Sequence, residues 1–264
     1  MSTDNNGAKP TVEFAGVTKS FISRDDKIVH TLQNVTFEVG PGEFVSIVGP
    51  SGCGKSTTLN ILAGITPATS GRVLIRGQAP SAARFDIGYV FQHDTVLPWK
   101  RVLDNIETGL VIRKVPSDVR YRRAQELVGV MGLSGFERAY PFELSGGMRK
   151  RVALATTMAY DPSILLMDEP FGALDAQTRV VLQEELLRVW EANRKTVLFV
   201  THDLAEAIIL SDRVIVMTAR PARIKSQYNV DLPRPRSVTQ SRFNPQFDKL
   251  YGTIWDDLRA EITA

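Results

Sequence analysis

Between Val12 and Phe37 apolar and polar residues partly alternate, and the charged cluster Arg24-Asp25-Asp26-Lys27 interrupts them, which predicts the start of an antiparallel hairpin. The pattern then changes. Residues 43–49 form a brief apolar run closed by a glycine-rich turn, and helical spacing follows over 55–65, giving strand, loop and helix in succession. Further strands are predicted at 72–75 and 87–91, and the unbroken apolar run 163–167 has the character of a strand buried on both faces. Helical spacing recurs at 102–111, 117–131 (with Ser117, after Pro116, as its cap), 145–159, 176–192 and 204–210, with strands at 196–200 and 213–217. Alternation of this kind predicts an α/β fold in which a parallel sheet is covered on both faces. Beyond Ala219, prolines at 221, 233, 235 and 245 break the chain into an irregular appendage before a last helix at 247–262, and no internal repeat is visible.

Composition adds limits. A chain of 264 residues, 43% hydrophobic and 23% charged, can bury a sizeable core, and 19 Gly and 14 Pro are too few for a collagenous or low-complexity chain. The longest stretch without a charge is the sixteen residues between Lys55 and Arg72, which include Pro67, so no membrane-spanning segment is predicted. Met1 to Pro10 is polar and lacks the apolar centre of a signal peptide, so a cytosolic chain is expected, and the single Cys53 excludes an internal disulfide framework. Net charge is +3, with 24 basic and 24 acidic side chains up to residue 218 and 8 against 5 after it. The basic excess therefore lies in the tail, where its sparse spacing predicts a solvated surface better than a nucleic-acid or lipid contact.

Gly49-Pro50-Ser51-Gly52-Cys53-Gly54-Lys55-Ser56 fits the phosphate-binding loop pattern in the strand-to-helix setting that the pattern requires. Its glycines let successive amide N–H groups point at phosphate oxygens, and the helix dipole adds positive potential. Lys55 is then placed for the β- and γ-phosphates and the Ser56 hydroxyl for Mg²⁺. Cys53, at a helix start beside Lys55, is expected to have a lowered thiol pKa, against the alternative of an inert residue packed in the turn. Asp168 and Glu169 end the apolar run 164–167, which puts Asp168 at the carboxyl edge of the sheet as a Mg²⁺ ligand and Glu169 where it can take a proton from attacking water. Ser145-Gly146-Gly147 reads either as a plain capped helix start or as a second anion-seeking one, and the second reading predicts that another molecule closes the site.

The phosphate loop, Leu144-Ser145-Gly146-Gly147-Met148, Leu165 to Pro170, Phe171 to Asp175 and Val200 to Asp203, in that order, resemble the nucleotide-binding subunit of an ATP-binding-cassette (ABC) transporter over roughly residues 12–222. The resemblance implies a phosphate-loop NTPase core with a parallel sheet, an N-terminal antiparallel β subdomain and a helical subdomain near 93–160, all within a cassette 1–219 and followed by an appendage 220–264. It implies ATP and Mg²⁺ as cofactors, with nucleotide contacts at Gly49, Pro50, Ser51, Gly52, Cys53, Gly54, Lys55, Ser56 and Thr57. Phe21 resembles the aromatic that stacks on adenine, the alternative being a core strand residue. Gln92 resembles the glutamine that contacts Mg²⁺ and attacking water and senses the membrane partner. Asp175 resembles the aspartate coupling two sites across a dimer, or is simply a helix cap, and His202 resembles the switch histidine on the γ-phosphate. Catalysis is thus expected from Glu169, His202, Gln92 and Lys55, the metal from Ser56, Gln92 and Asp168, and the partner chain's share from Ser145, Gly146 and Gly147.

Met148 stands where many cassettes carry Gln, and Thr156-Thr157 replaces a common Arg-Ala, which is expected to alter packing near Asp168. The segment 91–105 and the run 168–179 most resemble the nitrate, sulfonate and taurine importers. Leu97-Pro98-Trp99 lies where cassettes dock a permease, with a core tryptophan as the alternative. The implied protein is a homodimeric ATPase on the cytoplasmic face of the inner membrane, peripheral to permease subunits and served by a periplasmic or lipoprotein solute-binding protein, with no nucleic-acid partner. Rival classes fit less well: repair ATPases insert long coiled coils, translation ATPases carry two cassettes, GTPases carry an Asn-Lys-x-Asp motif, and a module without turnover would have lost Glu169 or His202.

Overall fold

The computed structural model describes residues 9–262 except Asp94 and Ala173, so the opening eight residues, on which the expectation of no signal peptide partly rests, lie outside the described residues. Strand β1 (Val12–Ile22) pairs antiparallel with β2 (Ile28–Val39) across the charged 24–27 turn, and with β4 (Ser70–Ile75) on its other edge. The second sheet has six strands in the order β5-β6-β7-β3-β8-β9. It comprises β3 (Phe44–Val48), β5 (Ile87–Val90), β6 (Ile164–Asp168), β7 (Thr196–Val200) and β8 (Arg213–Met217), all parallel, and β9 (Ile224–Asn229), antiparallel to β8. Strands β3, β6 and β7 are buried throughout, as continuous apolar runs require when both faces of a sheet are covered.

Helix α1 (Lys55–Leu62) follows β3 directly. Between β5 and β6 the chain makes α2 (Val102–Ile112), α3 (Ser117–Val130) and α4 (Gly146–Ala159), which pack on one another. Ser117 is the first residue of α3 rather than its cap, because Pro116 already fixes the helix entry, and no side chain caps that end. Helices α5 (Ala176–Asn193) and α6 (Leu204–Leu210) each lead from one strand end to the next, and α7 (Pro245–Ile262) closes the chain. Among the described residues no helix is long and apolar enough to cross a membrane.

The tail differs from its sequence expectation in two ways. The segment after Pro221, read as irregular, contributes β9 to the sheet edge. Two of its basic residues, Arg234 and Arg236, also turn inward, while Arg220, Arg223, Arg242, Lys249 and Arg259 are exposed as the solvated reading expects. Arg236 is buried and donates to the carbonyls of Ile208, Ile209, Ser211, Val230 and Leu232, capping the C-terminal end of α6. Burial and the neighbouring Arg234 pull its pKa down to about 10, which leaves it cationic at neutral pH. Arg234 bridges Asp212 (2.8 Å) and Glu191 (3.2 Å) and lies over the Trp190 ring at 4.2 Å.

Candidate nucleotide-binding site

The loop between β3 and α1 rests against the N-terminal sheet. A Cβ on Gly54 (φ 127°) would lie 2.8 Å from Leu32 and 3.1 Å from Thr31, so only glycine fits there. No side chain caps α1, which leaves its first N–H groups unclaimed by the helix's own residues. Lys55 Nζ donates to the carbonyls of Gly49 (2.9 Å) and Pro50 (3.0 Å), folding the lysine over the loop. An open cleft lies in front of it, lined by Ser51, Gly52, Gly54, Lys55, Ser56, Thr57, Gln92, Glu169 and Arg220.

The end of β6 supplies both acids. Asp168, the last residue of β6, accepts a hydrogen bond from Ser56 Oγ (2.9 Å). Burial raises the pKa of its carboxyl, the Ser56 bond opposes that, and the Glu169 charge adds to it. A hydroxyl, a carboxylate and the Gln92 amide oxygen form a hard-oxygen donor set, the chemistry that suits Mg²⁺. Glu169 has a backbone φ of 43°, in the left-handed region that non-glycine residues occupy mainly where function or packing demands it. Gln92 Nε2 (3.3 Å) and His202 Nδ1 (3.1 Å) both meet its Oε2.

Other expected residues lie apart from this cluster. Ser145, Gly146, Gly147, Asp175 and Phe21 do not line the cleft. Ser145 caps α4 by accepting from Met148 N (3.3 Å), and Asp175 caps α5 by accepting from Thr178 N (3.0 Å), which lowers its pKa. A Cβ on Gly147 would lie 2.6 Å from Thr178 Cγ2, so the second glycine also serves the contact between α4 and α5. Phe21 is 42% exposed near the end of β1 with Lys19 over its ring, not a core strand residue. Trp99 is 71% exposed and likewise not core. Met148 packs partly against the core, and Thr157 is buried where α4 meets β5, its hydroxyl donating to Ala153 O (3.1 Å).

Cys53 contradicts the expectation of an activated thiol. It is 1% exposed within the core, and burial pushes its pKa up, outweighing the opposing pull of Lys55. Sequence reasoning also missed three positioning residues. Lys150 of α4 is buried and donates to the carbonyls of Phe91 (3.0 Å) and Gln92 (2.6 Å), fixing the backbone from which Gln92 projects. Glu206 of α6 is buried, accepting from Gln183 Nε2 (2.7 Å) and from Oγ1 of Thr201, the residue before His202, and burial raises its pKa. Asn105 braces the loop that carries Trp99, through Leu97 N (2.7 Å) and the carbonyls of Leu97, Lys100 and Arg101. Lys150 and Glu206 carry no local signal, because the fold brings Phe91 and Gln183 to them from 59 and 23 residues away, whereas Asn105 bonds close in sequence, within residues 97–101.

A phosphate-cradling loop at the carboxyl ends of parallel strands, facing a paired Ser-Asp and a Glu held by Gln and His, defines a nucleoside triphosphatase of the phosphate-loop class. The ABC transporter family profile matches residues 32–172. The chain is 44% identical to the aliphatic sulfonates import ATP-binding protein of Bacillus cereus, with 88% of this chain and 91% of that protein covered. It is also 44% identical to the taurine import ATP-binding protein of Rhizobium johnstonii, at 87% and 89% coverage. A dimeric ATP-binding cassette solved in a post-hydrolysis state with ADP and phosphate superposes with a TM-score of 0.75 at 33% identity, covering 84% of this chain and 100% of that one. The chain belongs to the ABC transporter family, as one of its ATP-binding subunits, and is an ATPase.

Proposed function

We propose that this ATPase powers a membrane importer for a small anion of the nitrate, sulfonate or taurine type, working as a homodimer at the cytoplasmic face beneath permease subunits that receive solute from a periplasmic or lipoprotein binding protein. The relatives named for sulfonate and taurine import support the solute class, taurine being itself an aminosulfonate. The exposed Trp99 on its Asn105-braced loop supports a permease contact. The observation that carries the catalytic reading is the convergence of Gln92 and His202 on one oxygen of Glu169, beside the Ser56–Asp168 pair.

In this reading Lys55 turns from the Gly49 and Pro50 carbonyls to the β- and γ-phosphates, and the amides from Gly49 through Thr57, Ser51 and Cys53 included, cradle the phosphate chain. Ser56, Asp168 and Gln92 would hold Mg²⁺, which when bound would draw negative charge off the phosphate oxygens. Glu169 takes the proton of the attacking water, oriented by Gln92 and His202, and His202 also reaches the γ-phosphate. Phe21 stacks on adenine. Ser145, Gly146 and Gly147 of a second copy close over the phosphates, and Asp175 links the two sites. The test replaces Glu169 by Gln. General-base loss lowers turnover by about a hundredfold or more, while MgATP binding persists and ATP induces a dimer, read by phosphate release and by light scattering. Turnover at the wild-type rate removes Glu169 as the base.

A further inference from the structure

We propose that Arg220 is a nucleotide-binding residue: the C-terminal segment sets its guanidinium on the phosphate loop, where it gives the phosphate oxygens a second positive charge beside Lys55. The inference rests on the nucleotide reading of the cleft and deepens it. Arg220 lies in the turn between β8 and β9, and its Nη2 donates to Gly52 O at 2.6 Å, in the middle of the loop. It lines the cleft, where the charged residues are Lys55, Arg220 and Glu169. A guanidinium carries five N–H donors. Among the described residues Arg220 has no carboxylate partner, so its charge is left for an anion.

The frame that holds Arg220 is fixed on both sides. Where β8 ends, a Cβ on Gly49 would lie 2.9 Å from Met217 O, so strand and loop are in contact. Ala222 N donates to Thr31 O (2.9 Å) and Gln33 N to Ala222 O (2.9 Å), tying the turn to the stretch of β2 that also backs Gly54. Thr218 and Arg223 close the turn through Thr218 N to Arg223 O and Arg223 N to Thr218 Oγ1, each 3.0 Å. From the far side, Glu261 of α7 accepts from Ala219 N (3.0 Å) and from Lys225 Nζ (2.9 Å). The residue next to Arg220 is thus held by the last helix. A side chain placed this way can follow a bound phosphate with little loss of backbone freedom, since the backbone is already ordered. Both a nucleoside diphosphate and a triphosphate present the required oxygens, so the effect belongs to binding and not to the chemical step.

The test compares Arg220→Met, which keeps the stem and removes the charge, with Arg220→Lys, which keeps a charge. Titration calorimetry with MgATP and with MgADP, at low salt and at about 0.5 M salt, gives affinities, and phosphate release gives KM and kcat. Arg220→Met is expected to weaken both nucleotides by about five- to tenfold at low salt. The loss shrinks at high salt, KM rises, and kcat stays within about twofold. Arg220→Lys recovers most of the affinity, and Glu261→Ala, which loosens the turn, gives a smaller loss of the same salt-sensitive kind. Wild-type affinity in Arg220→Met overturns the proposal, as does an equal loss at both salts with a lowered melting temperature, the mark of a mere brace. Lys55→Ala separates this from the underlying reading: if it still binds MgATP the cleft assignment itself fails, and if it loses binding while Arg220→Met does not, only this inference fails.

Discussion

Helices α1 and α4 both start from glycine-rich turns, yet they present their first N–H groups differently. At α1 no side chain caps the helix, the loop is packed on Thr31 and Leu32, and the ends of β3 and β6 bring Ser56 and Asp168 into contact. At α4 Ser145 uses its own hydroxyl on Met148 N, stands exposed, and lies outside the cleft. In the proposed reading one half of the site is therefore prebuilt within the chain, while the other satisfies itself locally and needs another copy to bring it to a nucleotide. On that reading the prebuilt phosphate cradle accounts for binding, and the detached half predicts association that depends on ATP.

The largest expected effect attacks that division directly. Ser145→Arg, placed in the Glu169→Gln background, should abolish the ATP-dependent dimer while the monomer binds MgATP within a few-fold of its parent. Light scattering and calorimetry read the two arms. If monomer binding is lost as well, Ser145 belongs to the cleft of its own chain and the comparison fails. A second variant asks what Gly147 is for. Gly147→Ala should cost about 1–3 kcal/mol from overpacking, because the new Cβ meets Thr178 Cγ2 at 2.6 Å, and adding Thr178→Ala should restore most of it in chemical denaturation. A double variant that is stable but does not dimerise with ATP assigns Gly147 to closure as well as to packing.

The contrast between the two halves also sorts what the sequence made legible. Strands β3, β6 and β7 announce themselves as apolar runs, and the phosphate loop and the Asp168-Glu169 pair are local patterns whose spacing carries their chemistry. β9 does not show, because Lys225, Ser226 and Gln227 give an edge strand with no apolar alternation. Cys53 was misread because its neighbours in sequence are a helix start and Lys55, whereas burial against β2 and the core, which outweighs both, is visible only in the fold. Lys150, Glu206, Arg220 and Arg236 look like surface charges in a one-dimensional reading. Their partners are 59, 23, 168 and 25 residues away in the case of Phe91, Gln183, Gly52 and Ser211.

Glu206 allows the prebuilt half to be tested by pH. Burial sets its folded pKa above the ordinary glutamate range, with Asp203 repelling its charge and Arg179, Gln183 and Thr201 opposing the rise. The folded chain then binds this proton more tightly than the unfolded one, so stability from this group is full at acid pH and falls as pH rises from the ordinary range through the raised value. Glu206→Gln lacks that slope. It should match the wild type near pH 4 and be the more stable by neutral pH, measured by urea denaturation across the range. A Gln variant less stable at neutral pH would show that the carboxylate is ionised and held by Gln183 and Thr201, with the wild type then gaining stability as it deprotonates.

The smallest effect on the isolated chain is expected at Trp99. Its indole is 71% exposed, and surface truncations away from caps and buried networks stay within about 0.5 kcal/mol. Trp99→Ala should therefore leave folding and basal ATPase close to wild type. Asn105→Ala, by contrast, strips Leu97 N of its acceptor and removes the side-chain donor from the Leu97, Lys100 and Arg101 carbonyls, of which Leu97 and Arg101 keep a backbone donor, and should cost about 1–3 kcal/mol. If the loop is a docking element, the indole is the kind of large amphipathic anchor on which interface energy concentrates, so Trp99→Ala loses co-purification with the permease subunits and solute-coupled ATPase in reconstituted vesicles while the soluble assay stays unchanged. Unimpaired assembly would move the permease contact elsewhere on the helical region. It would leave the exposed tryptophan without the role that separates a surface built for a membrane partner from the face around Ser145 proposed to close over ATP.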